Sequence, residues 1–420
     1  MLLLRTLALA LGLAAAAAPA QPIDSRTKAR IDRVLKRTPL IDGHNDLPWE
    51  LREHHESRVD GLDRGGESRA KPVMTDMARM RAGRVGGQFW SVYISGTLTG
   101  DEAIRTTIEQ IDTARRLIET YPRDLELAFT ADDMVRIHRA GRIGSMLGIE
   151  GGRQIGGSLA ALRRFYDLGV RYMTLTHNQT TDWADSATDV PRHDGISPAG
   201  AAYIAEMNRL GMLVDLSHVS AAAMTDALQM TRAPVIFSHS NAFALNPHPR
   251  NVPDDVLRLL PANGGVVMVN FYPVFLSPQV REWALRRTGE EARLKSLFSY
   301  SPEQAAAGLK AWEAANPRPR VGVGLVADHI EHIARTAGYD NVGIGGDLDG
   351  IPYAAEGLES VAGYPLLFAE LIRRGWSDAN LAKLAGGNVL RALRRAEQVA
   401  ASMKDRPAPV DARLSQPVLP

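Results

Sequence analysis

The sequence predicts an α/β protein built as a (β/α)8 barrel of the TIM type, with a metal site at the carboxyl ends of its strands. Three observations indicate this fold. Eight short runs alternate with longer helical patterns, each run is apolar at nearly every position, and most runs end in a histidine, aspartate or glutamate. Strands that are apolar throughout are typical of parallel sheets covered by helices on both faces. Eight such units are the number that closes a barrel.

The predicted strands are short and regularly spaced along the chain. They are Pro39–Gly43, Gln88–Ile94, Ser145–Ile149, Val170–Thr176, Met212–Leu216, Pro234–Phe237, Gly265–Asn270 and Asn341–Gly345. The helical patterns between them include Asp101–Thr120, Ser158–Leu168, Pro198–Leu210, Ala221–Thr231 and Pro253–Leu260. An open, doubly wound sheet is the alternative fold, but the chain has no glycine-rich dinucleotide-binding fingerprint to favour it.

Three segments interrupt or close the repeating pattern. Trp49–Gly83 is charged and glycine-rich, which predicts a loop over the barrel mouth. Phe275–Arg320 is largely helical, which predicts a lid or an oligomer contact. Glu356–Gln398 is predicted to form two closing helices that end at Gly375 and at Gly386–Gly387. The barrel and its insertions would then be a single domain over residues 21–400, followed by a polar tail over 401–420.

The first 20 residues have the pattern of a secretory signal peptide. Arg5 precedes an apolar run that ends in the small residues Ala18, Pro19 and Ala20. A transmembrane anchor is the alternative, although the run is short and alanine-rich for a membrane span. A cleaved signal and a composition rich in alanine and arginine predict a periplasmic or secreted bacterial protein. The polar C-terminus carries no lipid-anchor signal, so we expect no stable membrane anchor.

Composition excludes several classes of function. The 420 residues include 49 basic and 48 acidic side chains, for a net charge of +1, so no nucleic-acid partner is expected. The chain has no cysteine. Disulfides and zinc–thiolate sites are therefore ruled out, and any metal site must use histidine, aspartate and glutamate.

The polar residues at the ends of the predicted strands are the candidates for chemistry, because active sites of barrel enzymes lie at the carboxyl ends of the strands. Six of the eight ends carry such residues, and they include four of the 11 histidines. Any one of them alone is more often a core or turn residue, but together they predict a metal centre. The candidates are His44, Asp46, Glu150, His177, His218, His239, Asp347 and Asp349, of which Asp349 is expected to be structural.

The donor types favour a site for two divalent ions. His44, Asp46, His218 and His239 supply three imidazoles and a carboxylate, and Glu150 lies between them and can bridge. Zn²⁺ suits this mixture of ligands, although Mn²⁺ or Co²⁺ can occupy the same kind of site.

Three further residues are assigned roles toward the substrate. Asp347 is predicted to be a general acid/base, with a turn residue as the alternative. His177 is either another ligand or, as we prefer, a hydrogen-bond donor to the developing oxyanion. Arg250 precedes a helix start, where it either clamps a substrate carboxylate or pairs with Asp254 or Asp255 at the surface.

Most of the chain, from about Thr38 to about Arg395, resembles the membrane dipeptidase (renal dipeptidase, dehydropeptidase) family of the amidohydrolase superfamily. The matching segments are Ile41–Trp49, Gly148–Gly152, Leu175–His177, Trp183–Asp185, Asp215–Ser220, Phe237–Ser240, Arg250–Asp255, Val269–Tyr272 and Val342–Gly350. The resemblance implies a zinc-dependent hydrolase of dipeptides that often accepts a C-terminal D-residue, that in some members opens β-lactam rings, and that forms a homodimer.

The resemblance also implies a role for each site residue. One zinc ion would be held by His44, Asp46 and Glu150, and the other by Glu150, His218 and His239. His177 would orient the scissile carbonyl, Arg250 would bind the substrate carboxylate, and Asp347 would meet the free amine or shuttle the proton. The chain differs from mammalian members because it lacks their cysteines and their C-terminal anchor signal. It also carries Phe275 a few residues beyond the seventh predicted strand, and a different side-chain preference is expected if aromatic residues there line the pocket.

These residues together predict dipeptide hydrolysis, in which a metal-bridging hydroxide attacks the carbonyl and Asp347 passes the proton to the leaving amine. Capture of both termini would restrict the substrates to dipeptides. One alternative is another amidohydrolase-type hydrolase of lactam, lactone or cyclic amide substrates; Arg250 argues against neutral ones. Another is a periplasmic metal- or peptide-binding protein without turnover, against which the complete set of ligands argues.

Overall fold

The computed structural model describes residues 23–66, 69 and 71–409, and within these residues a single parallel sheet contains nine strands. The strands are β1 (Leu40–Asn45), β2 (Val85–Val92), β3 (Leu125–Leu127), β4 (Ile143–Glu150), β5 (Val170–Thr174), β6 (Leu213–Asp215), β7 (Ile236–Phe237), β8 (Val266–Val269) and β9 (Val342–Ile344). Each of the eight predicted strands overlaps one of them.

Helices connect and cover the strands. The α-helices are α1 (Ser25–Arg37), α2 (Leu47–His54), α3 (Met77–Ala82), α4 (Gly100–Thr120), α5 (Ala131–Arg139), α6 (Leu159–Asp167), α7 (Pro198–Leu210), α8 (Ala221–Met230), α9 (Asp254–Leu257), α10 (Leu260–Asn263), α11 (Pro273–Leu276), α12 (Pro278–Leu297), α13 (Pro302–Ala315), α14 (Val323–Ala337), α15 (Tyr364–Arg373), α16 (Asp378–Ala382) and α17 (Asn388–Ser402). Serine, threonine or aspartate side chains cap many of their amino ends, as at Ser197 before α7.

Eight of the strands close into a barrel. Neighbouring strands follow the order β1, β2, β4, β5, β6, β7, β8 and β9, and the pairing of Asp42 with Ile344 joins β9 back to β1. All of these pairs are parallel, so the carboxyl ends of the eight strands meet at one rim. The predicted (β/α)8 fold is confirmed.

The strand β3 was not predicted from the sequence. It pairs with the first half of β4, through Leu125 opposite Ile143, whereas the second half of β4 pairs with β5. Because β2 pairs along nearly the whole of β4, from Gly144 to Ile149, β3 lies beside the ring and not within it. Its three residues, with Glu126 in the middle, make no apolar run that a sequence pattern could detect.

The barrel is tightly packed just below the rim. A side chain at Gly345, directly after β9, would overlap the carbonyl oxygen of Ser238, which follows β7. Only glycine permits this close approach between two backbones across the barrel. The site residues at the rim are therefore held by strands whose separation leaves little room for adjustment.

The predicted insertions differ in outcome. Phe275–Arg320 is helical as predicted, and α12 packs against α13 through Trp283 and Trp312. Trp49–Gly83 is mostly irregular, as predicted, but it also contains the end of α2 and all of α3. Trp49 borders the mouth, but Val59 and Leu62 hydrogen bond to the Tyr121 hydroxyl at the far end of α4.

The closing segment also differs in detail from its prediction. Gly375 follows α15 with a φ of 88°, as expected of a helix end. Gly386 and Gly387 do not end a helix. They lie in one π-helical turn, Lys383–Gly387, that continues into α17. A Cβ atom at Gly386 would overlap the carbonyl oxygen of Pro39 before β1, so its glycine serves close packing against the barrel.

The predicted signal peptide, residues 1–20, lies outside the described residues, as do residues 410–420 of the predicted tail. Within the described ranges, none of the helices combines the length and the apolar character that a membrane span requires.

Candidate active site

The rim at the carboxyl ends of the strands brings the predicted ligands together. His44 is the penultimate residue of β1, and Asp46 directly precedes α2 without capping it through its side chain. Glu150 is the last residue of β4. His218 and His239 follow β6 and β7, and all five of these side chains are buried.

One cluster of possible ligand atoms contains His44, Asp46 and Glu150. The His44 Nε2 atom lies 3.1 Å from Asp46 Oδ2 and 3.5 Å from Glu150 Oε2. His44 Nε2 and Asp46 Oδ1 are buried and make no hydrogen bond within the described structure. Buried polar atoms without a partner cost free energy, so their convergence here calls for a functional explanation.

A second cluster contains Glu150, His218 and His239. Glu150 Oε1 lies 3.0 Å from His218 Nε2 and 3.4 Å from His239 Nε2. The two Nε2 atoms are 2.9 Å apart. Glu150 thus turns one oxygen toward each cluster, which is the arrangement of a bridging carboxylate.

The two clusters fit divalent ions. In each cluster three donor atoms lie within 4.8 Å of one another, and the donors are imidazole nitrogens and carboxylate oxygens only. This mixture is what zinc and similar divalent ions prefer. A third cluster, His44, His239 and Asp347, places Asp347 within the range of a ligand as well, a role that the sequence analysis did not give it.

Electrostatics keep the three groups of the second cluster in the forms that bind cations. Burial alone would raise the pKa of Glu150, but His44 and His177 more than offset this and hold that pKa well below its usual value. Burial lowers the pKa of His218 and of His239 well below the usual value. A carboxylate and two neutral imidazoles therefore face the shared centre.

Asp347 lies in a different electrostatic setting. Burial raises its pKa to about 8, although the nearby His44 opposes the shift. Asn270 donates a hydrogen bond of 2.7 Å to Asp347 Oδ2, while Oδ1 lies 4.0 Å from His44 Nε2. One oxygen is thus held by the protein and the other faces the clusters, as a group that exchanges protons requires.

Two of the site residues have a strained backbone. His218 has a φ of 69° and Asp347 a φ of 62°, in the left-handed region that residues other than glycine seldom adopt. Such conformations cost about 1–3 kcal/mol each and are concentrated at functional sites. Here they turn the side chains inward over the barrel axis just after their strands end.

A cavity of about 370 Å³ opens above the clusters. It reaches Glu150, His218 and His239 at its base, and its walls include aromatic side chains. These are Trp49, Tyr93, Tyr272 and Phe275. The volume is of the size that small-molecule sites have.

His177 and Arg250 also line this cavity. The His177 Nε2 atom lies 3.7 Å from Glu150 Oε1, but His177 belongs to none of the three clusters. Arg250 is 2% exposed, and its Nε and Nη1 atoms have no hydrogen-bond partner in the described structure. The surface ion pair with Asp254 or Asp255, the alternative for Arg250, is not formed among the described residues.

A sequence model of the membrane dipeptidase family (peptidase family M19) matches residues 28–407. The chain belongs to this family. The resemblance noted from the sequence segments is therefore confirmed, and membership places the rim clusters within a family of dipeptidases.

Two solved structures have a fold similar to that of this chain. The probable dipeptidase PvdM from Pseudomonas aeruginosa has a TM-score of 0.73 at 23% identity, covering 89% of this chain and 99% of that one. A metallopeptidase from Rhodobacter sphaeroides, liganded with a phosphinate mimic of the dipeptide L-Ala-D-Ala, has a TM-score of 0.70 at 24% identity, covering 86% of this chain and 99% of that one. At these identities the likeness establishes a common fold.

The residues that support the site of this dipeptidase-family chain were not predicted from the sequence. The Tyr172 hydroxyl lies 2.8 Å from His44 Nδ1, and Asp215 lies behind Ser238 and His239. Asn270 holds Asp347. Asp215 and Asn270 each stand at the carboxyl end of an apolar strand, so the rule that selected Glu150 could have selected them.

Proposed function

We propose that this protein is a zinc-dependent dipeptidase that binds two Zn²⁺ ions and cleaves dipeptides with free amino and carboxyl termini. The observation that supports this most is the position of Arg250. It is a buried cation with two unpartnered donors in the same cavity as two ligand clusters that share Glu150.

The ligand sets of the proposal are those that the clusters group together. His44, Asp46 and Glu150 would hold one ion, and Glu150, His218 and His239 the other. Mn²⁺ or Co²⁺ could replace zinc at such ligands.

Arg250 would select the carboxyl terminus of the substrate. Burial lowers the pKa of its guanidinium to about 10, which still leaves the group charged at neutral pH. A buried guanidinium with free donors binds a carboxylate through two parallel hydrogen bonds, and it excludes substrates that lack this charge. The centre of the Phe275 ring lies 5.3 Å from the guanidinium carbon of Arg250, so this ring restricts the space beside the guanidinium.

His177 and Asp347 would act on the peptide group between the termini. When bound, the two ions would activate a water molecule and polarise the carbonyl. Burial lowers the pKa of His177, so its imidazole is neutral and can donate a hydrogen bond to the carbonyl oxygen as charge develops there. Asp347 would contact the free amine or carry a proton to the leaving amine.

We infer that the enzyme also accepts a D-residue at the C-terminal position. The similar structure from Rhodobacter sphaeroides carries a mimic of a dipeptide that ends in D-Ala. In this chain the buried guanidinium of Arg250 would hold the carboxylate of a last residue of either configuration.

The proposal extends to location and assembly. Residues 1–20 would be a signal peptide, and the mature protein, a single domain with insertions, would work in the periplasm or outside the cell. Mass spectrometry of the protein recovered from the periplasm should give a chain that begins at Gln21. Sedimentation should show a homodimer.

The test of the proposed function is the release of amino acids from L-L, L-D and N-acetylated dipeptides by protein loaded with two equivalents of zinc. Cleavage of free L-L and L-D dipeptides, its loss on chelation and the rejection of N-acetylated dipeptides are expected. No cleavage of any free dipeptide by the zinc-loaded protein would refute the proposal and direct attention to lactam or lactone substrates.

A further inference from the structure

We propose that Asp215 and Ser238 are positioning residues that fix the tautomer of His239 and thereby prepare it to bind the second metal ion. This inference rests on the proposed two-ion site. It concerns two residues behind the ligands that do not line the cavity.

Asp215 is a fully buried carboxylate at the end of β6. Four donors surround it. Oδ1 accepts from the backbone amides of Ser217 (3.1 Å) and Ser238 (2.8 Å), while Oδ2 accepts from the hydroxyls of Thr174 (2.5 Å) and Ser238 (2.6 Å). With four donors directed at its two oxygens, Asp215 acts only as an acceptor.

The direction of the next hydrogen bond follows from this. Ser238 has one hydroxyl proton, and it uses this proton to donate a hydrogen bond to Asp215 Oδ2. The Ser238 oxygen, which lies 2.8 Å from His239 Nδ1, can therefore only accept a hydrogen bond from that nitrogen. Nδ1 of His239 must carry the ring proton, so Nε2 presents its lone pair toward Glu150 and His218, as a metal ligand requires.

The same carboxylate also positions the backbone of the neighbouring ligand. Ser217, whose amide bonds to Asp215, directly precedes His218, and the Ser217 hydroxyl accepts a 3.0 Å hydrogen bond from the His239 amide. Asp215 thus ties together the ends of β6 and β7, from which both imidazoles of the second cluster project.

Replacing Asp215 with asparagine should reverse the hydrogen bonds. The amide nitrogen of Asp215→Asn can donate to Ser238, whose hydroxyl proton would then point to His239 Nδ1. That arrangement puts the ring proton of His239 on Nε2, where it blocks the metal. Loss of such an outer partner reduces metal affinity by about 10- to 100-fold.

The experiment is a zinc titration of the metal-free protein against a chromophoric chelator. The variants are Asp215→Asn, Ser238→Ala and, as the control, Thr174→Val, which removes another hydrogen bond to Asp215 without touching Ser238. We expect the wild type and Thr174→Val to bind two ions alike. The other two variants should bind the first ion like wild type and the second about 10- to 100-fold more weakly.

The ring ¹⁵N shifts of His239 in the metal-free protein provide a second measurement that loss of folding would not imitate. They should show the Nδ1-protonated form in wild type and a shift toward the Nε2-protonated form in Asp215→Asn. If Asp215→Asn does not fold, the same measurements can be made on Ser238→Ala, which is the milder change. Wild-type affinity for the second ion in Ser238→Ala, with an unchanged tautomer, would overturn this inference alone. Wild-type protein that binds no zinc would instead refute the proposed function.

Discussion

The two ends of the barrel each carry a cavity, and the comparison shows that size does not identify the site. The cavity at the amino ends has a volume of about 560 Å³, against about 370 Å³ at the carboxyl ends. The larger one is rich in charge. Its polar lining consists of Asp32, Lys36, Arg81, Arg84, Arg123, Asp124, His138 and Arg142.

The difference lies in how the polar groups are satisfied. At the amino ends most charges pair with one another, as Arg84 does with Asp32 at 3.0 Å and Arg81 with Asp124. At the carboxyl ends buried atoms of His44, Asp46 and Arg250 have no hydrogen-bond partner in the described structure. A folded chain tolerates such unsatisfied groups where function needs them, so the smaller cavity is the active-site candidate.

The largest contrast is expected between Glu150→Gln and Glu126→Gln, the same substitution at opposite ends. Glu150 faces both ligand clusters, whereas Glu126 pairs with Arg136 and Arg142 at the surface. Loss of the bridging carboxylate should reduce kcat/KM by about 1,000-fold or more, because bound ions supply several kcal/mol of transition-state stabilisation. Dipeptide hydrolysis and metal content would be measured together.

The control variant, Glu126→Gln, should keep full activity and bind two ions. Its free energy of unfolding should fall by at most about 1 kcal/mol, because exposed ion pairs contribute little. Equal losses of activity in Glu126→Gln and Glu150→Gln would remove the distinction between the two ends.

The next contrast is between Arg250→Ala and Arg84→Ala. Removing the buried guanidinium should reduce kcat/KM for free dipeptides by about 100-fold or more, mainly through KM, because a carboxylate would lose its charged partner. Arg84→Ala removes a guanidinium that pairs with Asp32 and should leave both constants unchanged. Steady-state kinetics on one dipeptide and on its C-terminal amide checks this. If Arg250→Ala affected both substrates equally, Arg250 would not bind the carboxylate.

A smaller effect is expected for Asn270→Ala, with Asn263→Ala as its counterpart. Asn270 accepts from the Tyr272 amide at 2.6 Å and donates to Asp347, so its side chain is oriented and fixes the Asp347 carboxyl. We expect kcat to fall by about 10- to 100-fold with both ions still bound.

The Asn263 side chain accepts from the Val235 amide near the amino ends, and its loss should reduce stability only. Loss of metal from Asn270→Ala would show that Asn270 supports the ligands and not the proton carrier.

The smallest effect is expected for Tyr172→Phe. The Tyr172 hydroxyl is the partner of His44 Nδ1, whereas the Ser238 hydroxyl that faces His239 Nδ1 is itself held by the Asp215 carboxylate. Affinity for the first ion should fall by about 10-fold. Tyr121→Phe removes a hydroxyl that bonds to Val59 and Leu62 away from the rim, and it should bind zinc like wild type. A chelator titration that finds Tyr172→Phe equal to wild type would contradict the assigned support.

The sequence was sufficient for the barrel and for the side chains that crowd its rim. His44, Glu150 and His239 could be found because each stands in or just after an apolar run, where the barrel rule places active sites. The supporting residues could not be assigned roles, because their partners are remote in the chain. Asn270 and Asp347 are 77 positions apart, and they meet only because β8 and β9 are neighbours.

The structural errors have similar causes. Trp49–Gly83 has the composition of a loop, yet it contains α3, whose Met77 and Met80 are fully buried, and tertiary contacts of this kind override local composition. The glycines at 386 and 387 have helix-ending chemistry, but Gly386 is required for its contact with Pro39.

The most direct test of the two-ion centre is an anomalous difference map at the zinc edge from crystals of the zinc-loaded protein. The account predicts two peaks about 3.5–4 Å apart on either side of Glu150, one beside His44 and Asp46 and the other beside His218 and His239. A single peak at the rim, or peaks only in the charged cavity at the amino ends, would contradict it.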